Sequence, residues 1–499
     1  MSGHFDAARH LLPHLPPYTG GRMADCAYPA GGGRFSVFNN GLPATLDTAK
    51  STEELLCSLE RFRLAGCRID ILKDPNSDLC FSASYEGAVY RVSKHGRQIH
   101  VLPDASSASF PQETACLARA VTQTNPAAFE AYLQKLESMG YRRSWEQQIE
   151  QNLYREFRYQ NRSLYAALMG RTGVARFIDD PVSVSVTELS GGAAAQCPLA
   201  ICQFALHYAD MIPGVSANCG MLYILRLPDR SLFLIDGGEY EQATDEAVAE
   251  VMRLLRMLSG TQQAQKINIA GWFCTHAHDD HMDVFGKLIR FHHDEIQLER
   301  ILFNFPDTSQ YAIMPSVYPV LSRLNRYYPQ AMYLKPHAGQ TFTLAGVEFQ
   351  FLQTHEDSIA QAGNESIGGF NDTSTILKIS HDGVSFLILG DINQSAERIL
   401  LSHYSAETLH ATVVQPAHHL YNLLNQLYSV VAPTVALAPV HAQRRWDCTE
   451  KYAALARAVP ADQIFFASEE TSVWEVRQGK LIKILSCKPV GGAFDNSGI

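Results

Sequence analysis

The sequence predicts a layered α/β domain preceded by a smaller α+β domain, and two patterns carry that expectation. From about residue 195 onward, apolar runs of strand length alternate with helical stretches, and each chemically suggestive residue falls just after a run. Before residue 185, a helix followed by a series of short strands occurs twice. The length of 499 residues exceeds what one hydrophobic core usually serves, so more than one domain is expected. With 46% hydrophobic, 18% charged and 10% aromatic residues, the composition is that of a globular protein. A net charge of −10 gives no support to a broad nucleic-acid surface, although a local basic channel remains compatible with it. The eleven cysteines are odd in number and form no Cys-x-x-Cys pairs, and Cys202, Cys219 and Cys274 lie inside apolar stretches. They read as reduced, buried thiols. The N-terminus has no basic head with an apolar stretch behind it, and no uninterrupted apolar run approaches membrane-spanning length. The expectation is a cytoplasmic protein with no membrane partner.

Taken in order, residues 1–50 are rich in Gly, Pro and small polar residues and are expected to be an irregular extension. An α+β accessory domain is expected over 51–185. Ser51-Thr52-Glu53-Glu54 reads as a capping box opening a helix whose Leu55, Leu59 and Phe62 share one face, with strands at 67–72, 79–85, 88–92 and 98–102 behind it. The order recurs about 75 residues later. Asn125 is a fitting N-cap, Pro126 suits the first helical position, Phe129, Leu133 and Leu136 form the apolar stripe, and Gly140 ends the helix. Strands are expected at 141–147, 152–159, 163–169 and 174–178. Ser190-Gly191-Gly192-Ala193-Ala194-Ala195 reads as the linker to the second domain, expected over 195–490. There, strands at 199–208, 220–227 and 231–235 lead into Asp236-Gly237-Gly238, followed by a helix with Val248, Met252, Leu255 and Leu258 as its stripe.

The chemistry is concentrated in Thr275-His276-Ala277-His278-Asp279-Asp280-His281, entered from the apolar run 269–274. A strand ending in a tight loop can turn His276 and His278 toward one metal while Asp280 and His281 face a second. Imidazole and carboxylate donors suit zinc, manganese or iron, and the expected product is a metal-bound hydroxide. Further candidates sit after later strands: His355, the segment Asn371-Asp372-Thr373-Ser374, Asp391 behind Gly390, and His418 with His419. A carboxylate at Asp391 is placed to bridge two ions. His292 and His293 at a helix end suit the helix dipole, His337 reads as a turn residue, His441 as a weaker site candidate, and Cys274 as packed.

The ordered set Asp236-Gly237-Gly238, His276-x-His278-x-Asp280-His281, Gly390-Asp391 and His418-His419 resembles the metallo-β-lactamase superfamily over roughly 195–490. Asn371-Asp372-Thr373-Ser374, Gly390-Asp391 and the paired histidines are similar to the hydrolase domain of DNA-uptake competence proteins. The resemblance implies a four-layer αβ/βα sandwich with two divalent metals at one edge. It implies that His276 and His278 hold the first metal, that Asp280 and His281 hold the second, that Asp391 bridges, and that His418 completes the second site, with His419 the alternative. Asp236 would orient the motif loop. The superfamily usually has another histidine ahead of the bridging aspartate, and here either His355 fills that position or Asn371 or Asp372 does. The strand before His355 and its acceptor neighbours Glu356 and Asp357 favour His355. In the competence-type pattern the paired histidines continue as Gly-Ser, whereas this chain reads Leu420-Tyr421-Asn422. The expected function is a binuclear metal-dependent hydrolase of phosphodiesters, with Asp280 and Asp391 as proton-handling carboxylates. The alternatives are hydrolysis of carboxylic esters or lactones, or use of a metal-binding fold for protein contact or sensing.

Overall fold

The computed structural model describes residues 22–29, 44–46, 68–72, 79–85, 88–95, 98–103 and 117–487, except 160–161, 181–183, 206–219, 240–242, 306–316, 359–369, 422–423 and 425. The helix expected behind Ser51 lies outside the described residues.

Alternation along single strands defines the layers. In Leu232–Asp236, Leu232 and Leu234 join a cluster with Val248, Val251, Leu255, Phe285 and Leu288 of the helices Asp245–Ser259 and Asp283–His292. Phe233 and Ile235, on the opposite face, join Phe349, Ile379 and Phe386 of a second sheet. That sheet alternates in the same way. Phe386 and Ile388 face the first sheet, while Leu387 and Leu389 pack with Leu400 and Leu455 of the helices Gln394–His403 and Thr449–Ala456. Two strands with period-two apolar patterns on both faces therefore produce helix, sheet, sheet and helix in succession. This is the expected αβ/βα sandwich.

Strand direction decides where its functional edge falls. In the first sheet Leu232–Asp236, Ile267–Phe273 and Arg300–Leu302 run parallel. In the second, Val384–Ile388, Val413–Val414 and Val435–Ala438 do so too. Parallel strands discharge all their C-terminal loops at one edge. The two edges are tied together by the Thr375 amide, which donates to the Thr275 carbonyl at 2.9 Å. The crossover helix Asp245–Ser259 starts on Thr244, whose hydroxyl accepts from the Ala247 amide, and stops at Gly260 in the left-handed region.

The accessory strands form two further sheets. Arg68–Leu72, Leu79–Tyr85, Ala88–His95 and Gln98–Pro103 make an antiparallel meander, and the preceding strand Ala44–Leu46 pairs with its last member. Arg142–Ile149, Asn152–Tyr159, Arg162–Met169 and Val174–Asp180 repeat that topology, with Leu117–Thr122 returning beside the last strand. The helix Pro126–Ser138 stands between, capped by Asn125 as its sequence predicts. Residues 1–50 are not wholly irregular. Arg22–Pro29 pairs with Leu117–Thr122, a partner far away in sequence that no local pattern reveals. Likewise, Ser190–Gly191 within the expected linker adds a short parallel edge strand beside Thr343 and Leu344.

The strand Arg162–Met169 joins the two regions through its two faces. Leu164, Ala166 and Leu168 pack on the helix Pro126–Ser138, whereas Tyr165, Ala167 and Met169 enter the outer core of the second sheet. Polar contacts lock this junction. Asn152 donates to the His403 carbonyl at 2.9 Å, and the Tyr154 and Tyr404 hydroxyls meet at 2.6 Å. Arg176, fully buried, donates to the Asp357 carbonyl at 2.6 Å and lies 3.6 Å from its carboxylate. No helix among the described residues is long and apolar enough to cross a membrane.

Burial raises the Asp357 carboxyl to about 6, with Arg176 opposing the rise. A raised acid contributes stability below its unfolded value near 4 and loses it as pH rises through the folded value. Arg176→Met removes the opposing charge and moves the folded value higher still. The variant is expected to lose about 3–5 kcal/mol at pH 8 and markedly less at pH 5, as read from urea midpoints at the two pH values. An equal loss at both would refute the pairing.

Candidate metal centre

The site begins with Asp236, which ends its strand in the left-handed region at φ 56° and is fully buried. Its Oδ1 accepts from the Thr275 amide at 2.7 Å, and its Oδ2 from the Thr275 hydroxyl at 2.8 Å and from His281 Nδ1 at 2.6 Å. One carboxylate thereby fixes both the start of the motif loop and the orientation of His281. Gly237 is required beside it, because a Cβ there would lie 2.7 Å from the Phe285 Cβ. That close approach lets the Gly237 and Gly238 carbonyls accept from the Phe285 and Asp283 amides, which satisfies the first turn of the helix Asp283–His292 without a side-chain cap.

The second sheet supplies Asp391. Gly390 has φ 57°, and a Cβ on it would meet Ser374 at 2.8 Å and Thr275 at 3.0 Å, so the two sheet edges close on a position open only to glycine. The Asp391 amide donates to Ser374 Oγ at 3.0 Å. The paired histidines follow in an unusual backbone: His418, His419 and Leu420 all have positive φ, between 47° and 59°. Each such residue costs on the order of 1–3 kcal/mol unless its surroundings impose it. Here the His418 amide is bonded to the Gly390 carbonyl at 3.1 Å, and Leu420 is buried in the core.

Four of the histidines, His276, His281, His418 and His419, are anchored through Nδ1 and present Nε2. Nδ1 of His419 donates to the Pro439 carbonyl at 2.7 Å, and Nδ1 of His418 to Asn393 Oδ1 at 2.9 Å. His276 Nδ1 sits 3.1 Å from the Thr275 hydroxyl. Facing inward, His281 Nε2 and His419 Nε2 lie 3.3 Å apart. His281 Nε2 is 3.2 Å from Asp391 Oδ1, and His419 Nε2 is 3.4 Å from Asp391 Oδ2 and 3.1 Å from Asp280 Oδ2. The ligand atoms of Asp280, His281, Asp391 and His419 all fall within 4.8 Å of one another. Beside them, His276 Nε2 and His278 Nδ1 lie 3.1 Å apart, and His418 Nε2 is 3.0 Å from Asn371 Nδ2 and 4.0 Å from Asp391 Oδ2. Phe370 covers this side, its ring 4.9 Å from that of His278.

Electrostatics agree with a cation site. Burial alone would favour neutral imidazoles, and it does lower His276 well below its usual value. It also opposes charge on His281 and His419, yet the surrounding carboxylates, Asp391 foremost, raise both, His419 to about 10. Asp391 is held well below the usual carboxylate range by His419 and His281 despite its burial. Asp391 Oδ1 and Asn371 Oδ1 are buried acceptors without a hydrogen bond. Converging imidazole nitrogens, desolvated carboxylates and orphaned acceptors fit a divalent cation, and none of the donors is a thiolate.

Two ligand expectations are corrected. His355 does not join the cluster: it is fully buried, with Nε2 3.0 Å from Asn304 Oδ1, and burial lowers it to about 3. Asn371 reaches the site in its stead. Asp372 turns away, accepting from the Asn393 amide at 2.6 Å at the start of the helix Gln394–His403. Secondly, His419 rather than His418 completes the group around Asp280 and His281, since the left-handed turn rotates the second imidazole inward. His337, expected in a turn, is buried, stacked 4.5 Å from the Tyr165 ring and bonded to Glu356 Oε2 at 2.7 Å. His292 pairs with Glu295 at 2.8 Å, His293 stacks on Tyr327, and His441 accepts from the Gln443 amide at 3.1 Å. Cys274 is buried, and burial raises its thiol. Sequence reading missed Thr275 and Asn393 as anchors, although they lie one residue from His276 and two from Asp391, and it missed the Pro439 carbonyl, which leaves no side-chain signal.

The fold and the donor set together define an αβ/βα sandwich with a candidate divalent-metal centre at one edge, an arrangement similar to that of metallo-β-lactamase-fold proteins. Solved structures with a similar fold include a metallo-β-lactamase from Novosphingobium pentaromativorans, at 13% identity over 48% of this chain and 83% of that one, with a TM-score of 0.24. A subclass B3 metallo-β-lactamase from a soil metagenome matches at 12% identity over 52% and 96%, with a TM-score of 0.25. The flavodiiron protein of Giardia intestinalis matches at 12% over 46% and 47%, with a TM-score of 0.23. No family model and no curated protein sequence matches the chain.

Two outcomes check these placements by elemental analysis of purified variants. His419→Ala is expected to lose bound metal, whereas His355→Ala retains the wild-type stoichiometry and loses stability instead. Asp236→Asn, which weakens the hold on His281, is expected to lower metal affinity about 10–100-fold in competition with a chelator. Unchanged affinity would remove Asp236 from its orienting role.

Proposed function

We propose that the protein is a binuclear metal-dependent hydrolase of phosphodiesters, with zinc as the resident ion. The observation that supports this reading is the convergence of three imidazoles on the buried Asp391 carboxylate, with further donors beside it, which we read as two sets. On one side stand His276 Nε2, His278 Nδ1, His418 Nε2 and Asn371, and on the other Asp280, His281 and His419. The Asp391 oxygens lie 3.2 Å from His281 Nε2, 3.4 Å from His419 Nε2 and 4.0 Å from His418 Nε2. When bound, two divalent ions would acidify a water molecule and polarise the phosphoryl oxygen.

The chain's own residues supply orientation and proton handling. Asp236, Thr275, Asn393 and the Pro439 carbonyl hold the imidazoles so that their lone pairs converge, which removes reorganisation from the reaction. Asp280 is more open to solvent than its neighbours, with 18% side-chain exposure against 1% for Asp391. It is therefore the carboxylate placed to receive a proton from water entering the site, while Asp391 stays fixed between the two donor sets. Phe370 shields the His278 side and restricts the direction of approach.

The test is metal analysis followed by turnover of bis(p-nitrophenyl) phosphate, an aryl ester and a lactone, with zinc or manganese restored to metal-depleted protein. Phosphodiester turnover that follows metal content is expected, and Asp391→Ala should reduce it to background while leaving the unfolding midpoint close to wild type. Turnover confined to the ester or lactone would overturn the substrate assignment. Wild-type turnover by metal-depleted protein would overturn the mechanism.

A further inference from the structure

We infer that the metal centre has an adjoining anion subsite, built on Arg444 and Tyr421, that receives a second negatively charged group of the substrate. The inference rests on the hydrolase reading above and specifies what its substrate carries.

The subsite is continuous with the centre. The Tyr421 ring lies 5.6 Å from that of His418, and the Arg444 guanidinium carbon sits 3.7 Å above the Tyr421 ring centre. The segment bearing Arg444 is also the one that orients the cluster, since its Pro439 carbonyl holds His419 Nδ1 at 2.7 Å and the Arg444 amide is bonded to the His441 carbonyl at 3.0 Å. Arg444 is therefore fixed relative to the donor atoms rather than loosely tethered at the surface.

Its charge is unmatched. Among the described residues, Arg444 pairs with no carboxylate, and its side chain bonds only the weak acceptor Cys448 Sγ at 3.5 Å. The adjacent Arg445 shows what a structural arginine does here: it reaches Glu469 at 3.3 Å. A guanidinium held over an aromatic ring by its face leaves N–H groups for a further acceptor, and its planar fork matches the oxygens of phosphate or carboxylate. In this protein it is half-buried, so water satisfies its donors incompletely and an anion bound there replaces little solvent. A phosphodiester with a further phosphate one nucleoside away would place one group at the metals and the other on Arg444. A neutral ester or lactone would leave the arginine unused.

Calorimetric titration of the metal-loaded protein with thymidine 5′-monophosphate and thymidine 3′,5′-bisphosphate tests this without turnover. The wild type is expected to bind the bisphosphate about tenfold more tightly, the gain of one charge-assisted contact. Arg444→Gln should abolish that preference while leaving monophosphate affinity and metal content unchanged, and Arg444→Lys should retain part of it. Absence of a preference in the wild type, an equal loss for both ligands, or loss of metal in Arg444→Gln would each overturn the subsite. Preference without phosphodiester turnover would sink the hydrolytic reading and leave the subsite standing. Turnover without preference would do the reverse.

Discussion

The structure turns on three carboxylates at the edge where two apolar sheets meet, Asp236 and Asp391 buried and Asp280 largely so. Removed from water, each requires positive charge or several donors. Asp236 is answered within the chain by the Thr275 amide and hydroxyl and by His281. Asp280 and Asp391 face the imidazoles of His281 and His419, which are themselves fixed from behind. The parallel strands, the glycines at 237 and 390 and the tie between Thr275 and Thr375 all bring those charges to one point. A cation is the group that satisfies the arrangement as a whole.

Backbone strain is confined to the same place. The left-handed run His418-His419-Leu420 is costly for branched and aromatic side chains. It persists because the Gly390 carbonyl, the Pro439 carbonyl and the buried Leu420 side chain hold it from three directions. Its effect is to bring both adjacent imidazoles to Asp391 Oδ2, His419 Nε2 at 3.4 Å and His418 Nε2 at 4.0 Å. An ordinary helical or extended step would place them differently.

The accessory sheet contributes rigidity rather than ligands. Its inner face merges with the outer core of the second sheet, and Asn152, Tyr154 and Arg176 reach the elements that follow the strand Val347–Gln353 and the helix Gln394–His403. The same region contains the buried group of Lys335, Glu356, His337 and His355. Lys335 Nζ lies 2.9 Å from Glu356 Oε1, and His337 takes the other oxygen. A histidine in such a network resembles a ligand in sequence, because both kinds sit after a strand among acceptors.

Sequence alone determined the features that depend on local periodicity and side-chain chemistry. The alternation in Leu232-Phe233-Leu234-Ile235, the stripe of the helix Asp245–Ser259, the Asn125 cap and the motif from His276 to His281 are each visible within one or two turns of chain, because their physics is local. Tertiary structure decided what depends on direction and distance. Whether His355 or Asn371 faces the centre, and whether His418 or His419 completes the group with Asp280, depends on which way a ring points after a turn. That direction is set by φ values and by partners such as Asn304 and the Pro439 carbonyl, more than fifteen residues away. The pairing of Arg22–Pro29 with Leu117–Thr122 was likewise hidden, since a strand's partner is chosen by what remains unpaired once the chain has folded.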